Sequence, residues 1–336
     1  MKIVFVGKEW KYEDYLTFDI IKKTKPKEIN FIDHMDIELH LNDNALFICN
    51  EKSYPLVAKI LATLTNSSLS VKDNFLVPSI ATFEKNSFIL EYNNYLINVI
   101  LVEKEIPKIF LPITSYEKIN IFKFDKESAI NFISPILNKY NIKYTSIYQY
   151  GFTTIYSDIL DEKIKKEILE YIPFIVFGDL NYHIVKNLPP KKITFAESCT
   201  GGLIASSLTK VPSSSKCFDG SVVSYANRIK HEWLGVETST LNKFGAVSEQ
   251  SVKEMLLGAI EISKSDYAIA VSGIAGPDGG SKEKPVGTVY IGVANRKELK
   301  VELFHFKGDR NYIQYQSMMS AFKMFIEFSA LYSKIS

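Results

Sequence analysis

The chain has 336 residues, 46% of them hydrophobic, with a formal charge of +2 at pH 7. That length and apolar content allow substantial buried cores and about two domains, while the near-neutral balance gives no electrostatic footprint for DNA or a membrane surface. Three widely spaced cysteines, Cys49, Cys199 and Cys217, indicate neither a disulfide framework nor a metal cluster and fit a reducing cytosol; the N-terminus turns charged too soon for a signal peptide, and no apolar run is long enough to span a bilayer.

Residues 1–115 read as an α/β unit. Strands are expected at Ile3–Val6, Ile29–Ile32 and Ala45–Cys49, with helices around Tyr12–Lys23 and Ser53–Leu64, an alternation that favours a parallel sheet. The segment NSFILEYNNYLINVILVE follows as a hairpin with Asn93 and Asn94 at its turn. After the strand ALFICN the sequence runs Glu51-Lys52-Ser53-Tyr54-Pro55 with no glycine pair, so a nest of main-chain N–H groups for a phosphate is not expected there.

Residues 116–178 read as a smaller α+β unit. It has a strand in KINIFKF, a helix over Lys126–Tyr140, a strand in YTSIYQY and a second helix over Asp158–Tyr171. The last carries Ile159, Leu160, Ile164, Ile168 and Leu169 on one face and lysines and glutamates on the other. No GxxG loop for clamping a nucleic-acid strand occurs here, and Lys163, Lys165 and Lys166 read as a solvated helix face.

Residues 179–336 carry the chemistry. Gly178-Asp179 and Pro189-Pro190 bracket a short helix, and then TFAESCTGGLIASSLTKV begins at Thr194. Its strand ends on Glu197-Ser198-Cys199-Thr200-Gly201-Gly202, after which Leu203, Ile204, Leu208 and Val211 recur at helical spacing. Ser198 therefore falls at a strand-to-helix turn. The N–H groups of the helix's first turn lack intrahelical partners and are expected to face Ser198, where an anion or developing oxyanion would be stabilised; Gly201 and Gly202 let a ligand approach the main chain.

A polar loop, VPSSSKCFDG, leads to the strand SVVSY, which ends near Tyr225. Asn227 can cap the following helix, with Lys230 and His231 on its first turn. A helix over Ser248–Lys264 starts on Ser248 as N-cap. Strand Tyr267–Ser272, a Gly/Pro-rich loop over 273–285 of the kind that folds over a small ligand, strands Gly287–Ala294 and Lys300–Phe306, and a closing helix over Arg310–Phe328 complete a mixed sheet. Polar, glycine-bearing strand ends so close in sequence point to one cleft at the carboxyl edge of that sheet.

The motifs AESCTGG, SYANRIKHEWLGV, GAVSEQSV, VSGIAGPDGGSKEKPVGTVYIG and FKGDR, in this order, closely resemble the CinA C-terminal domain, known in that family as the nicotinamide-nucleotide amidase (PncC-type) domain. The resemblance covers residues 180–334. It implies hydrolysis of nicotinamide mononucleotide to nicotinic acid mononucleotide and ammonia, without a metal or dissociable cofactor, in a cytoplasmic homodimer. It also implies the counterparts of the family's residues: Ser198 in ESCTGG, Tyr225 in the SYxN segment, Lys230 in the NxxK segment and Arg310 in GDR. CinA proteins usually carry, ahead of this domain, a molybdopterin-binding-like domain with a GGxGPT-type loop and a small KH-like middle domain. Residues 1–115 depart from the first at Glu51–Pro55 and read as a degenerate relative, a scaffold or dimerisation element; the YQYGF element of residues 116–178 resembles the second.

Amide hydrolysis needs a nucleophile, a proton acceptor that later serves the leaving amine, and donors for the oxyanion. Ser198 is the candidate nucleophile and Cys199 its rival. Lys230 is the candidate base and His231 its rival. An ordinary lysine is neutral in about one molecule in a few thousand at pH 7, so Lys230 must be desolvated to act, with Tyr225 relaying or donating the proton in a Ser-Lys(-Tyr) arrangement. The main-chain N–H groups of Thr200, Gly201 and Gly202 are candidate oxyanion donors. Arg310 offers a planar fork for a phosphate or carboxylate, while Asn227, Ser272, Gly273, Ala275, Gly276 and Gly280 are candidates for contact with the nucleotide. Two other readings stay open: a nucleotide-binding, competence-associated interaction protein with a vestigial amidase site, and an ADP-ribose pyrophosphatase in the N-terminal domain. The expected partner is a small-molecule nucleotide and a second copy of the chain, with no membrane or nucleic acid.

Overall fold

The computed structural model describes residues 1–7, 10, 17, 20, 21, 24, 26, 28–103, 105–111, 117–158 and 160–334. The helix expected over Tyr12–Lys23 and the boundary expected at 115 lie largely or wholly outside them. The chain divides into two compact units, Met1–Ile172 and Pro173–Ser336. No helix among the described residues is long and apolar enough to cross a membrane.

In the first unit, strands β1 (Lys2–Val6), β2 (Glu28–Ile32) and β3 (Ala45–Cys49) precede helix α1 (Ser53–Leu64). They are followed by β4 (Leu69–Lys72), β5 (Phe75–Pro78), β6 (Thr82–Glu84), β7 (Ser87–Tyr92) and β8 (Tyr95–Leu101). One sheet runs β2-β1-β3-β8-β7-β6. Its first four strands are parallel, and β1 and β3, the apolar runs KIVFV and ALFIC, are buried throughout, as central parallel strands are. The hairpin β7–β8 turns on Asn93 and Asn94, both in the left-handed region at φ 49° and 69°, which asparagine tolerates. At the start of α1 the Asn50 side chain accepts the N–H groups of Lys52 (3.0 Å) and Ser53 (2.9 Å), so the chain's own amide fills that helix end.

The same unit holds β9 (Glu117–Ile121), α2 (Lys126–Lys139), β10 (Tyr144–Gln149), β11 (Phe152–Ser157) and α3 (Glu162–Tyr171), with β11 pairing antiparallel to both β10 and β9. Two expectations are corrected here. FTTIYS forms a strand of its own, and α3 starts at Glu162 rather than Asp158, because Asp161 takes the Ile164 N–H and sets the cap.

The second unit contains β12 (Ile175–Phe177), α4 (Leu180–Asn187), β13 (Ile193–Glu197), α5 (Leu203–Thr209), β14 (Phe218–Val223), α6 (Asn227–Leu234), α7 (Thr238–Phe244) and α8 (Glu249–Ser263). It continues through β15 (Tyr267–Gly273), β16 (Thr288–Asn295) and β17 (Leu299–His305) to α9 (Arg310–Ser329). The sheet order is β14-β13-β15-β16-β17, parallel across the first three strands and antiparallel beyond. It is a mixed α/β sheet with helices on both faces. Ala196, Ala268, Ala270 and Ala294 are small enough to let α8 lie close, through Val252, Met255, Leu256 and Ala259. Tyr267, one residue out of phase with Ala268, meets Phe325 of α9 on the opposite face.

The connectivity makes β13 pivotal. From β13 the chain passes through α5 to β14 on one side, then through α6, α7 and α8 to β15 on the other. Where neighbouring connections diverge in this way, a crevice opens at the carboxyl ends of the strands. Ser198 directly follows the carboxyl end of β13.

Candidate active site

The Ser198 turn is built from two left-handed glycines, Gly201 at φ 61° and Gly202 at φ 97°, which redirect the chain from β13 into α5. Ser198 is 8% exposed, and its N–H donates to the Val271 carbonyl at 3.0 Å, pinning it between β13 and β15.

Across the crevice, Ser224 follows β14, and its N–H donates to the Glu197 carbonyl at 2.8 Å. Ala226, in extended conformation, is the N-cap of α6 without a side-chain bond, and Asn227 is the first helical residue, exposed. The capping role expected for Asn227 is thus corrected: its backbone is already helical.

One turn further, Lys230 points inward. Its side chain is 1% exposed, with Nζ 2.9 Å from Ser198 Oγ and 2.6 Å from the Ser224 carbonyl. Burial pushes the amine down from 10.5 to about 8, against a small opposing effect of Cys199. About one amine in ten is then neutral at pH 7, several hundred times the ordinary fraction. In that form Nζ donates to the Ser224 carbonyl and its lone pair accepts the Ser198 hydroxyl proton.

Neither rival fits. Burial pushes the Cys199 thiol up to about 12, so it stays protonated at neutral pH and is a poor nucleophile. His231 Nδ1 lies 2.8 Å from the Val236 carbonyl, which can only accept. The ring therefore donates there and closes the end of α6, away from the serine.

The expectation that the first turn of α5 faces Ser198 with free N–H groups is also corrected. Glu197, fully buried, turns its carboxylate into that turn: Oε2 accepts from Thr200 Oγ1 (2.8 Å), Gly202 N–H (3.1 Å) and Ile204 N–H (3.0 Å), and Oε1 accepts from Ala205 N–H (2.9 Å) and Ser221 Oγ (3.1 Å). Gly201 N–H donates to the Ser198 carbonyl at 3.0 Å. Of the three N–H groups considered for the oxyanion, only that of Thr200 has no partner among the described residues.

Helix α9 ties the strand ends together. Arg310 donates through Nη1 to the Gly276 carbonyl and through Nη2 to the Tyr225 hydroxyl, both at 2.8 Å, and Gln314 donates to the Cys199 carbonyl at 2.6 Å. Tyr225 is 61% exposed, and Arg310 is its hydrogen-bond partner; it makes no bond to Ser198 or Lys230.

The loop after β15 is held from the other side. Ser272, buried, donates to the Ala246 carbonyl at 2.8 Å, and Lys284 Nζ reaches the Phe244 and Val247 carbonyls at 2.9 and 2.7 Å. Gly273 is required by the approach of β16, since a Cβ there would sit 2.8 Å from the Thr288 carbonyl oxygen. Ala275 is buried, Gly276 is left-handed at φ 81°, and a Cβ on Gly280 would lie 2.9 Å from the Val286 nitrogen. Ser198 and Lys230 are brought into contact, Tyr225, Gly276 and Arg310 form a second cluster, and Ser272 is spent on the scaffold. Glu197, Ser224, Gln314 and Lys284 escaped the sequence reading. Only Glu197 had a signal, a carboxylate just ahead of a helix start.

A family model described as the CinA C-terminal domain matches residues 180–329. The nicotinamide-nucleotide amidohydrolase PncC of Enterobacter agglomerans is 50% identical over 140 residues, which cover 40% of this chain and 85% of that protein. The chain belongs to the CinA family. The CinA-like protein of Endomicrobium trichonymphae is 51% identical over 131 residues, 39% of this chain and 31% of its own length. That of Thermosipho melanesiensis is 41% identical over 169 residues, 50% of this chain and 42% of its own. This CinA-family chain thus spans less than half the length of these two CinA-like proteins. Among solved structures, the competence/damage inducible protein CihA from Agrobacterium tumefaciens is similar at 40% identity and a TM-score of 0.43, covering 45% of this chain and 93% of that one.

Proposed function

We propose that this CinA-family chain is an amidohydrolase that converts nicotinamide mononucleotide to nicotinic acid mononucleotide and ammonia, with Ser198 as nucleophile and Lys230 as base. The observation that carries the reading is the buried Lys230 amine 2.9 Å from Ser198 Oγ, with a pKa lowered to about 8. Similarity to the PncC amidohydrolase of Enterobacter agglomerans supports the choice of substrate.

In this mechanism neutral Lys230 takes the Ser198 proton as Oγ attacks the carboxamide carbon. The oxyanion is received by the free Thr200 N–H, a donor of a type worth about 2.7–4 kcal/mol in a transition state. The Lys230 ammonium then returns its proton to the departing nitrogen, ammonia leaves, and an ester on Ser198 remains. Water, deprotonated by Lys230, attacks that ester; the acyl C–Oγ bond breaks, the Lys230 ammonium returns the proton to Ser198 Oγ, and the carboxylate product leaves.

Because Arg310 donates to the Tyr225 oxygen, the Tyr225 O–H stays available to hydrogen-bond the substrate, while Lys230 supplies the proton to the leaving nitrogen. The Arg310 guanidinium is assigned to the substrate phosphate, with Asn227 at the rim and the loop through Gly273, Ala275, Gly276 and Gly280 over the nucleotide. The same proposal takes in a cytoplasmic homodimer, and gives residues 1–115 and 116–178 non-catalytic roles as a degenerate molybdopterin-binding-like scaffold and a KH-like module.

The test is ammonia release from nicotinamide mononucleotide by the purified chain. Turnover is expected in the wild type and only background in Ser198→Ala and Lys230→Ala. Folded wild-type protein that is stabilised by the nucleotide but releases no ammonia would instead indicate a binding protein with a vestigial site.

A further inference from the structure

Glu197 has no part in the mechanism above, yet it is joined to both reacting groups. Its buried carboxylate collects main-chain N–H groups from Gly202, Ile204 and Ala205 and hydroxyls from Thr200 and Ser221, at 2.8–3.1 Å. Capping a helix needs one such bond. This carboxylate instead fixes the whole left-handed turn that aims Ser198, and through Ser221 it anchors the turn to β14.

The main chain of the same residue holds the base. The Glu197 carbonyl accepts Ser224 N–H at 2.8 Å, the Ser224 carbonyl accepts Lys230 Nζ at 2.6 Å, and Nζ reaches Ser198 Oγ at 2.9 Å. With the peptide bond between Glu197 and Ser198 these bonds close a ring. Nucleophile and base are thus both referenced to one residue on a central strand.

We propose that Glu197 is a positioning residue for acyl transfer, its carboxylate holding the Ser198 oxygen in line with the Lys230 amine before substrate binds. The proposal rests on the Ser198–Lys230 reading of the site. Glutamine is isosteric but accepts at only one of the two oxygen positions. Its NH2 would confront either Ala205 N–H or the donors gathered at Oε2, and the turn must shift to relieve that contact. Displacing a reacting group by about 1 Å costs on the order of 100-fold in rate.

The experiment compares full-length wild type, Glu197→Gln and Ser221→Ala. Ser198 is labelled to completion with a sulfonyl fluoride, Lys230 taking the hydroxyl proton as the S–O bond forms and fluoride leaves; the final stoichiometry, not the labelling rate that alignment sets, counts the competent sites. Turnover of nicotinamide mononucleotide is then expressed per competent site. In Glu197→Gln, kcat per site is expected to fall about 10- to 100-fold with KM changed less than about threefold, and Ser221→Ala to lose about fivefold in the same direction. Unchanged kcat per site in Glu197→Gln, or a loss confined to KM, overturns the proposal. If Glu197→Gln does not fold, Ser221→Ala decides, and wild-type kcat per site there overturns it. Wild type that neither labels at Ser198 nor turns over would remove the hydrolysis reading itself, a result distinct from an active wild type indifferent to substitution at Glu197.

Discussion

Burying the Lys230 amine lowers its pKa from 10.5 to about 8, a native-state penalty of about 3 kcal/mol when the amine is charged. Below pH 8 both folded and unfolded chains hold the proton and the penalty is constant. Between about pH 8 and 10.5 the unfolded chain holds it and the folded chain does not, so the stability contributed by this group rises with pH across that window. Thermal melts of wild type and Lys230→Met should therefore converge or cross in favour of the wild type on going from pH 7.5 to 10; parallel curves would mean the amine is not buried as described. At the same scale, His231→Gln should keep turnover within about threefold of wild type, since its ring serves the Val236 carbonyl; loss to the Ser198→Ala level would make it the base. Ser198 and Lys230 were legible through the family motifs that carry them, ESCTGG and NxxK; a strand-end serine and a first-turn lysine would not by themselves have singled out either. The work of Glu197 was not, because three of its partners are main-chain N–H groups that carry no side-chain signature.

Helix α6 delivers Lys230 and is itself braced by α8. A Cβ on Gly258 of α8 would stand 1.9 Å from the Leu234 carbonyl oxygen at the end of α6, so alanine there must push the two helices apart. Helix propensity alone favours alanine over glycine by up to about 1 kcal/mol, which makes the sign of the effect diagnostic. Gly258→Ala is expected to lose about 1–3 kcal/mol in denaturant melts and, by moving Lys230, to lower kcat; a variant that is more stable and fully active would show that the close approach is not required. The long apolar runs of β1, β3, β13 and β15 and the capped helices α8 and α9 could be read directly, Ser248 and Asp309 each accepting the N–H three residues on. The short polar helix α7 and strands β4, β5, β6 and β11 could not. These segments are too short or too irregular in their apolar spacing to fix a period, and pairing or packing partners decide their structure.

The residues of the candidate site all lie in the unit Pro173–Ser336, within or beside the segment that matches the CinA model. That unit has its own sheet, with α8 on one face and α9 on the other. Residues 173–336 produced alone should fold, with a cooperative melt, and turn over nicotinamide mononucleotide within about threefold of the full chain; a molten or inactive fragment would assign residues 1–172 a part in the site. In the first unit, the Asn50 amide sits where a phosphate would meet the start of α1. ADP-ribose with a divalent metal should accordingly yield no AMP, and metal-dependent AMP release would contradict that assignment. The lack of a glycine pair at Glu51–Pro55 was visible in the sequence, whereas the Asn50 side chain that accepts the Lys52 and Ser53 N–H groups was not.

The most direct test of the account is the pH dependence of kcat/KM for nicotinamide mononucleotide, which reports the groups of the free enzyme. A rise with pH through a single inflection near 8 is predicted from the lowered Lys230 value, with no activity at any pH in Lys230→Ala. An inflection near the ordinary histidine value of about 6.5, or turnover that survives in Lys230→Ala, would contradict it.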